Sequence, residues 1–304
     1  VSEMIVTMAG TPEGGVLALA LALLSAFAHA TFGAINKGGA DPYLNRGAIN
    51  AAYSLMAMPF AFFVFPLPSA AVWQVLALTY LIHLLYEWLQ STAFHKGDFT
   101  LVYPIARGTG PLATAVGAVF IFGERLGPVQ WAGLALLSAS IWGLAAANLR
   151  ARRVDIAALH GLRQAIGVAL MTGGMIAVYT IVDAYGIRLA ENPFTFLAWF
   201  FVLGGFGFPF VALHRWRTMP PERRPEPFDL AVRGVFGAII AFVSFGAIML
   251  ATRLDKVGEA AALRETSIIF ATAIGVLVFR ERIDALRLGL IGLIATGAML
   301  VEFG

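Results

Sequence analysis

Long apolar runs alternate along this chain with short polar or Pro/Gly-rich breaks, and the runs have the length of membrane helices. Read between the breaks, they fall at 16–36, 47–65, 70–94, 100–122, 128–148, 163–186, 194–213, 228–251, 258–279 and 285–303. Most hold about 20 residues, which at about 1.5 Å per residue crosses a hydrocarbon core of about 30 Å. A segment in lipid must satisfy its own backbone hydrogen bonds, so it is a helix or a strand of a closed barrel. These runs are too long for barrel strands and lack the two-residue alternation of a sheet. The pattern predicts an all-α polytopic membrane protein with ten transmembrane helices. The longest polar stretch between them, 150–163, separates five runs from five, giving units 16–148 and 163–303. A second break, 214–229, holds Pro220, Pro221, Pro225 and Pro227 among arginines and reads as a solvated loop.

The second unit repeats the first. Asp98, Arg107 and Glu124 recur as Asp255, Arg264 and Glu281 at the same spacing. Gly123-Glu124-Arg125-Leu126 matches Arg280-Glu281-Arg282-Ile283, and Asp41-Pro42 matches Asn192-Pro193. Five helices per unit is an odd number, so the second unit enters the membrane upside down. Inverted repeats of this kind are common in secondary transporters, whose sites lie between the repeats. Most lysines and arginines fall on one side of the predicted membrane; the side of the termini has only Arg125, Arg188, Arg253 and Lys256. The positive-inside rule then places both termini outside the cytoplasm.

Composition sharpens the class. The 304 residues are 59% hydrophobic and 13% charged, with mean hydropathy +0.80. Soluble domains carry roughly 25% charged residues. With no cysteine, disulfides, thiolate catalysis and cysteine metal sites are excluded. No metalloprotease, Walker or nucleophile-elbow motif occurs, so no catalytic residue, metal or cofactor is expected. No basic block interleaved with aromatics points to nucleic acid. Residues 1–15 lack lysine and arginine, so the first apolar run reads as a retained helix.

Charges inside the runs are the candidate chemistry, because an ionisable residue at membrane depth costs about 2.5–3.5 kcal/mol on insertion scales. Arg107 lies between Pro104 and Pro111, each of which favours a kink or break. The segment therefore predicts an anion-binding arginine on a broken helix. Arg264 is followed by Glu265, and neighbours one apart on a helix do not face each other. In the third run Thr79, His83, Glu87 and Ser91 stand at four-residue steps on one face. Glu87 and His83 are candidates for proton coupling, histidine being the side chain that changes charge near neutrality. Glu87 is also a candidate ligand for a substrate ammonium. His29, Tyr103 and Tyr179 complete the candidate substrate-binding set with Arg107, Arg264, Glu265, Glu87 and His83. Asp183 shares a face with Tyr179 and reads as glue between helices. Glu124 and Glu281, at helix ends, read as caps. Gly133, Gly289, Gly292 and Gly297 read as close helix packing.

The Gly-Glu-Arg and Arg-Glu-Arg endings, His29-Ala30-Thr31-Phe32 through Lys37, His83 through Tyr86, Gly97-Asp98, Val102-Tyr103-Pro104-Ile105-Ala106-Arg107-Gly108 and Leu263-Arg264-Glu265-Thr266 resemble the drug/metabolite transporter superfamily in its EamA branch. The resemblance covers nearly the whole chain. It implies two EamA repeats and a multi-pass carrier of the bacterial inner membrane working by alternating access. Known functions in the superfamily include export of amino acids and drugs and exchange of phosphorylated or nucleotide sugars. Many relatives keep both termini in the cytoplasm, opposite to the charge distribution here.

The expected function is secondary transport of a small anionic or zwitterionic metabolite: an amino acid, organic acid or phosphonate-like solute. Its partners are the solute, the bilayer and protons as coupling ion, in a monomer or homodimer, with no nucleic acid. Two alternatives stand beside it. One is a proton-coupled exporter of hydrophobic cations, with Glu87 and aromatics as the pocket. The other is a non-transporting subunit or membrane-embedded enzyme.

Overall fold

A computed structural model describes the chain outside residues 37–40, 97–98, 151–158, 279 and 281–282; side chains of 33–36, 94, 96, 99–104, 148–150 and 159–162 are likewise outside the description. The described residues are helical, with no strand among them. A short α1 (Ser2–Met8), absent from the sequence expectation, precedes α2 (Pro12–Asn36), α3 (Pro42–Phe63), α4 (Ala70–Lys96), α5 (Phe99–Phe122) and α6 (Pro128–Arg150). Then follow α7 (Leu159–Leu189), α8 (Pro193–Gly204), α9 (Phe208–Thr218), α10 (Pro227–Leu254), α11 (Val257–Arg264), α12 (Ser267–Leu277) and α13 (Ala285–Phe303). A helix stands at each predicted run. Among the described residues nine stretches are long and apolar enough to cross a membrane; α3, which carries Asn45, Arg46, Asn50 and Ser54, is not one of them.

Local chemistry sets the starts. The Asp41 carboxylate accepts hydrogen bonds from the Tyr43 and Leu44 amides, with Pro42 at the first helical position. Asn192 does the same for α8, accepting from Phe194 N before Pro193. An oxygen side chain followed by proline satisfies one early donor and removes another. The matched Asp-Pro and Asn-Pro of the sequence are thus matched caps.

Two predicted helices are broken, the first just before Pro209 in the opening turn of α9 and the second with no proline near it. The run 194–213 divides into α8 and α9 at Gly204–Gly207. Ser54 donates to Val202 O at 2.8 Å and Asn50 to Gly204 O at 3.2 Å, taking up carbonyls that the ended helix leaves open. A Cβ on Gly205 would lie 2.1 Å from the Ser54 Cβ, so only glycine lets α3 come this close. The run 258–279 divides into α11 and α12 at Glu265–Thr266. There the amides of Glu265, Thr266 and Ile268 bond three residues back, and the Thr266 hydroxyl donates to Leu263 O at 2.7 Å.

The expected break in the fourth run is a correction. α5 is continuous from Phe99 to Phe122 through Pro104 and Pro111. Each proline still removes a backbone donor, but α6 and α7 pack along α5 and hold its course.

Packing is paired. α2 lies against α10 as α4 lies against α7, and α12 lies against α2 as α5 lies against α7. α6 packs on α13, and α3 on α8 and α9. At the α6–α13 crossing Gly133 and Gly297 face each other, and a Cβ on either would sit 2.8 Å from the other's carbonyl oxygen. Gly289 and Gly292 have open space around them, so their expected packing role is withdrawn. Outward faces carry exposed large apolar side chains such as Phe62, Phe63, Leu81, Phe120 and Phe210. Such surface needs lipid or a partner, not water.

Candidate functional site

A cavity of about 760 Å³, part of it open to solvent, lies among α2, α3, α4, α8 and α10. Its wall is aromatic, with Phe32, Tyr53, Tyr86, Phe200, Phe201 and Phe245 among the lining residues. Its polar groups come from successive turns of facing helices. α3 presents Arg46, with the fully buried Asn50 one turn behind it, and α4 presents His83 and Glu87 four residues apart.

Glu87 is fully engaged. Its Oε1 accepts from Arg46 Nη2 at 2.9 Å and its Oε2 from Asn50 Nδ2 at 2.7 Å. The His83 Nε2 lies 2.7 Å from Asp183 Oδ2 on α7. Tyr179 and Phe200 flank the imidazole at ring distances of 4.7 and 4.9 Å. The expected His83–Glu87 unit is therefore divided, each residue bonding a different helix, because side chains a turn apart on α4 point to α3 and α7. Glu87 as an open ammonium ligand is corrected on the same ground.

A second cluster lies behind Phe245 and His29. Arg107 Nη1 donates to Glu265 Oε1 at 2.8 Å, joining α5 to the break between α11 and α12. The Arg264 guanidinium sits over the Phe245 ring, 4.9 Å from its centroid. Arg264 is 4% exposed and makes no ion pair among the described residues; its Nε and Nη2, with the second oxygen of Glu265, are buried without hydrogen bonds. Arg46, Arg107 and Arg264 all act electrostatically on the His29 ring. Both arginines act electrostatically on Glu265.

Of the expected site residues, His29, His83 and Glu87 line the cavity. Arg107, Arg264 and Glu265 form the adjoining cluster and are not part of the cavity wall. Tyr179 supports His83 from behind, and the Tyr103 side chain lies outside the described residues. Arg46, Asn50 and the active pairing of Asp183 were missed. Arg46 precedes the apolar run 47–65, and the Asp41-Pro42 cap signal is what places it in the second turn of α3.

Glu124 caps, but not its own helix. Its carboxylate accepts from Val257 N at 2.7 Å and Gly258 N at 3.1 Å, closing the N-terminus of α11. Arg188 stands 3.5 Å from Glu124 and donates to the carbonyls of Thr252 and Asp255. The equivalent Glu281 lies outside the described residues. Among the described residues no group of three or more His, Asp or Glu is placed to hold a metal.

Comparison with known proteins agrees with this architecture. Residues 163–303 match the model of the EamA-like transporter family. No curated protein matches the chain. A solved structure, described only as "Crystal structure of protein", aligns with TM-score 0.70 at 16% identity over 96% of this chain and 98% of that one. At that identity the likeness shows the fold alone.

Proposed function

We propose that this chain, whose residues 163–303 belong to the EamA-like transporter family of the drug/metabolite transporter superfamily, is a secondary transporter of a small anionic or zwitterionic metabolite. Its two units act as inverted repeats of five membrane-crossing segments, α3 counted as the tenth despite its polar residues. The support is the pairing of helices: α2–α10 has α7–α4 as its counterpart, and α12–α2 has α5–α7. A two-fold axis in the membrane plane carries each pair into the other, the arrangement that alternating access uses. The charge distribution supports termini outside the cytoplasm of a bacterial inner membrane.

One observation carries the substrate class. Arg264 is buried with two N–H groups unmet, and a buried charge without a partner is expensive. A carboxylate, phosphate or phosphonate reaching past Phe245 supplies the missing acceptors in the planar fork that guanidinium offers. The aromatic wall takes the apolar part of the solute.

The test is thermal stabilisation of the purified protein by amino acids, organic acids, phosphonates and amines, since a ligand of the folded state raises apparent stability. Anions should stabilise the wild type and not Arg264→Gln. Stabilisation by amines alone sinks the reading and favours export of hydrophobic cations, for which the aromatic wall is the supporting observation. That alternative has to free Glu87 from Arg46 and Asn50 first.

A further inference from the structure

We infer that His83 and Asp183 form the proton site of this carrier, and that one proton bound there accompanies one negative charge of the solute at Arg264. The inference rests on the anion reading above and adds the coupling ion and its stoichiometry.

The buried acids around the cavity are not equivalent. Glu87 is held by Arg46 and Asn50, and Glu265 by Arg107. Arginine does not lose its proton in proteins, so those two counter-charges are permanent. Asp183 alone is matched by a histidine, whose charge is conditional. It is 3% exposed, and its Oδ1 has no hydrogen-bond partner. The imidazole lines the cavity, and among the described residues its Nδ1 takes no hydrogen bond from the protein.

The transfer is simple. With Nε2–H directed at Asp183 Oδ2, a proton from cavity water binds the Nδ1 lone pair and leaves to water by the same route. No bond other than N–H forms or breaks. The charges follow: the two arginine–glutamate pairs sum to zero and Arg264 adds one positive charge. His83–Asp183 adds zero when the ring is protonated and one negative charge when it is not. Loss of the proton therefore cancels the positive charge that attracts the anion. Proton and anion bind cooperatively by linkage, and a monoanion crosses without net charge.

Other titratable groups around His83 are accounted for. Its own helix carries Tyr80, Tyr86 and Glu87, α7 carries Tyr179 as well as Asp183, α3 carries Arg46 and Tyr53, and α5 carries Arg107. α8 brings none. On α9, His214 and Arg217 are exposed, and Arg215 is paired with Asp41. His29 on α2 lines the same cavity and is the second ring to be followed.

The experiment is nitrogen-15 NMR of histidine-labelled full-length protein in nanodiscs from pH 5 to 9. His83 is assigned by its absence in His83→Gln. The ring should gain and lose its proton reversibly, and its curve should be displaced in Asp183→Asn, which removes the adjacent charge. A ring that keeps one charge state throughout, or a curve unmoved by Asp183→Asn, overturns the inference. As a second arm, thermal stabilisation by sodium benzoate, a monoanion across this range, is compared at pH 6 and pH 8. It should be severalfold larger at pH 6 in the wild type and equal at both in His83→Gln. The same pH dependence in His83→Gln overturns the coupling. Benzoate inert at both pH values, beside a ring that titrates as stated, removes the anion reading and leaves the proton site standing.

Discussion

α5 and the α11–α12 pair are written in the same pattern and solved in opposite ways. Each has an acid at its start, an arginine at membrane depth and a Gly-Glu-Arg or Arg-Glu-Arg ending. α5 has two prolines beside its arginine and runs unbroken, while α11–α12 has no proline and breaks directly after its arginine. The break delivers Glu265 to Arg107 and leaves Arg264 unmatched. The difference teaches that a membrane helix breaks where side chains need its backbone to turn, and that neighbours can carry a helix through proline.

The largest test of this contrast is Glu265→Ala. It removes the acid of the Arg107–Glu265 pair, and breaking a buried pair costs about 3–5 kcal/mol. The thermal midpoint should fall sharply, and Arg107→Gln should fall less than Glu265→Ala because Glu265 keeps the nearby charge of Arg264. Arg264→Gln should cost nothing in stability, or raise it, while abolishing stabilisation by anions. Equal losses in Arg107→Gln and Arg264→Gln would erase the asymmetry.

Smaller effects address how α11 is held. Glu124→Ala removes the cap on Val257 and Gly258 and should cost about 1–2 kcal/mol, as lost N-caps do. Hydrogen exchange should rise at those two amides and not along α5. Thr266→Val removes the hydroxyl bond to Leu263 O, worth about 1 kcal/mol. A midpoint unchanged by that substitution would show that packing alone maintains the break.

Much of this was legible in the sequence. Ten apolar runs located the helices, and the cost of charge in lipid picked out Arg107, Arg264 and Glu87. Matched Asp-Pro and Asn-Pro signals named two caps. Partners were not legible, because they are set by tertiary geometry: nothing local ties Glu87 to Arg46, or His83 to Asp183 a hundred positions away. The break at Glu265–Thr266 had a weak signal, three consecutive polar residues after Arg264, which the proline rule overshadowed. Gly292 and Gly297 look alike in sequence, and only the fold shows which one meets a partner backbone.

The Arg107–Glu265 bond spans 158 positions of chain. At a synthesis rate of about 5–20 residues per second, Arg107 enters the membrane on the order of ten to thirty seconds before its acid exists. Through that interval the newborn first unit holds a cation at membrane depth without this acid. A chain stopped after α6 should therefore be cleared from cells faster than one stopped after α12, a difference that pulse-chase labelling would register. The first half of the chain is completed, in time as well as in space, by a residue from its second.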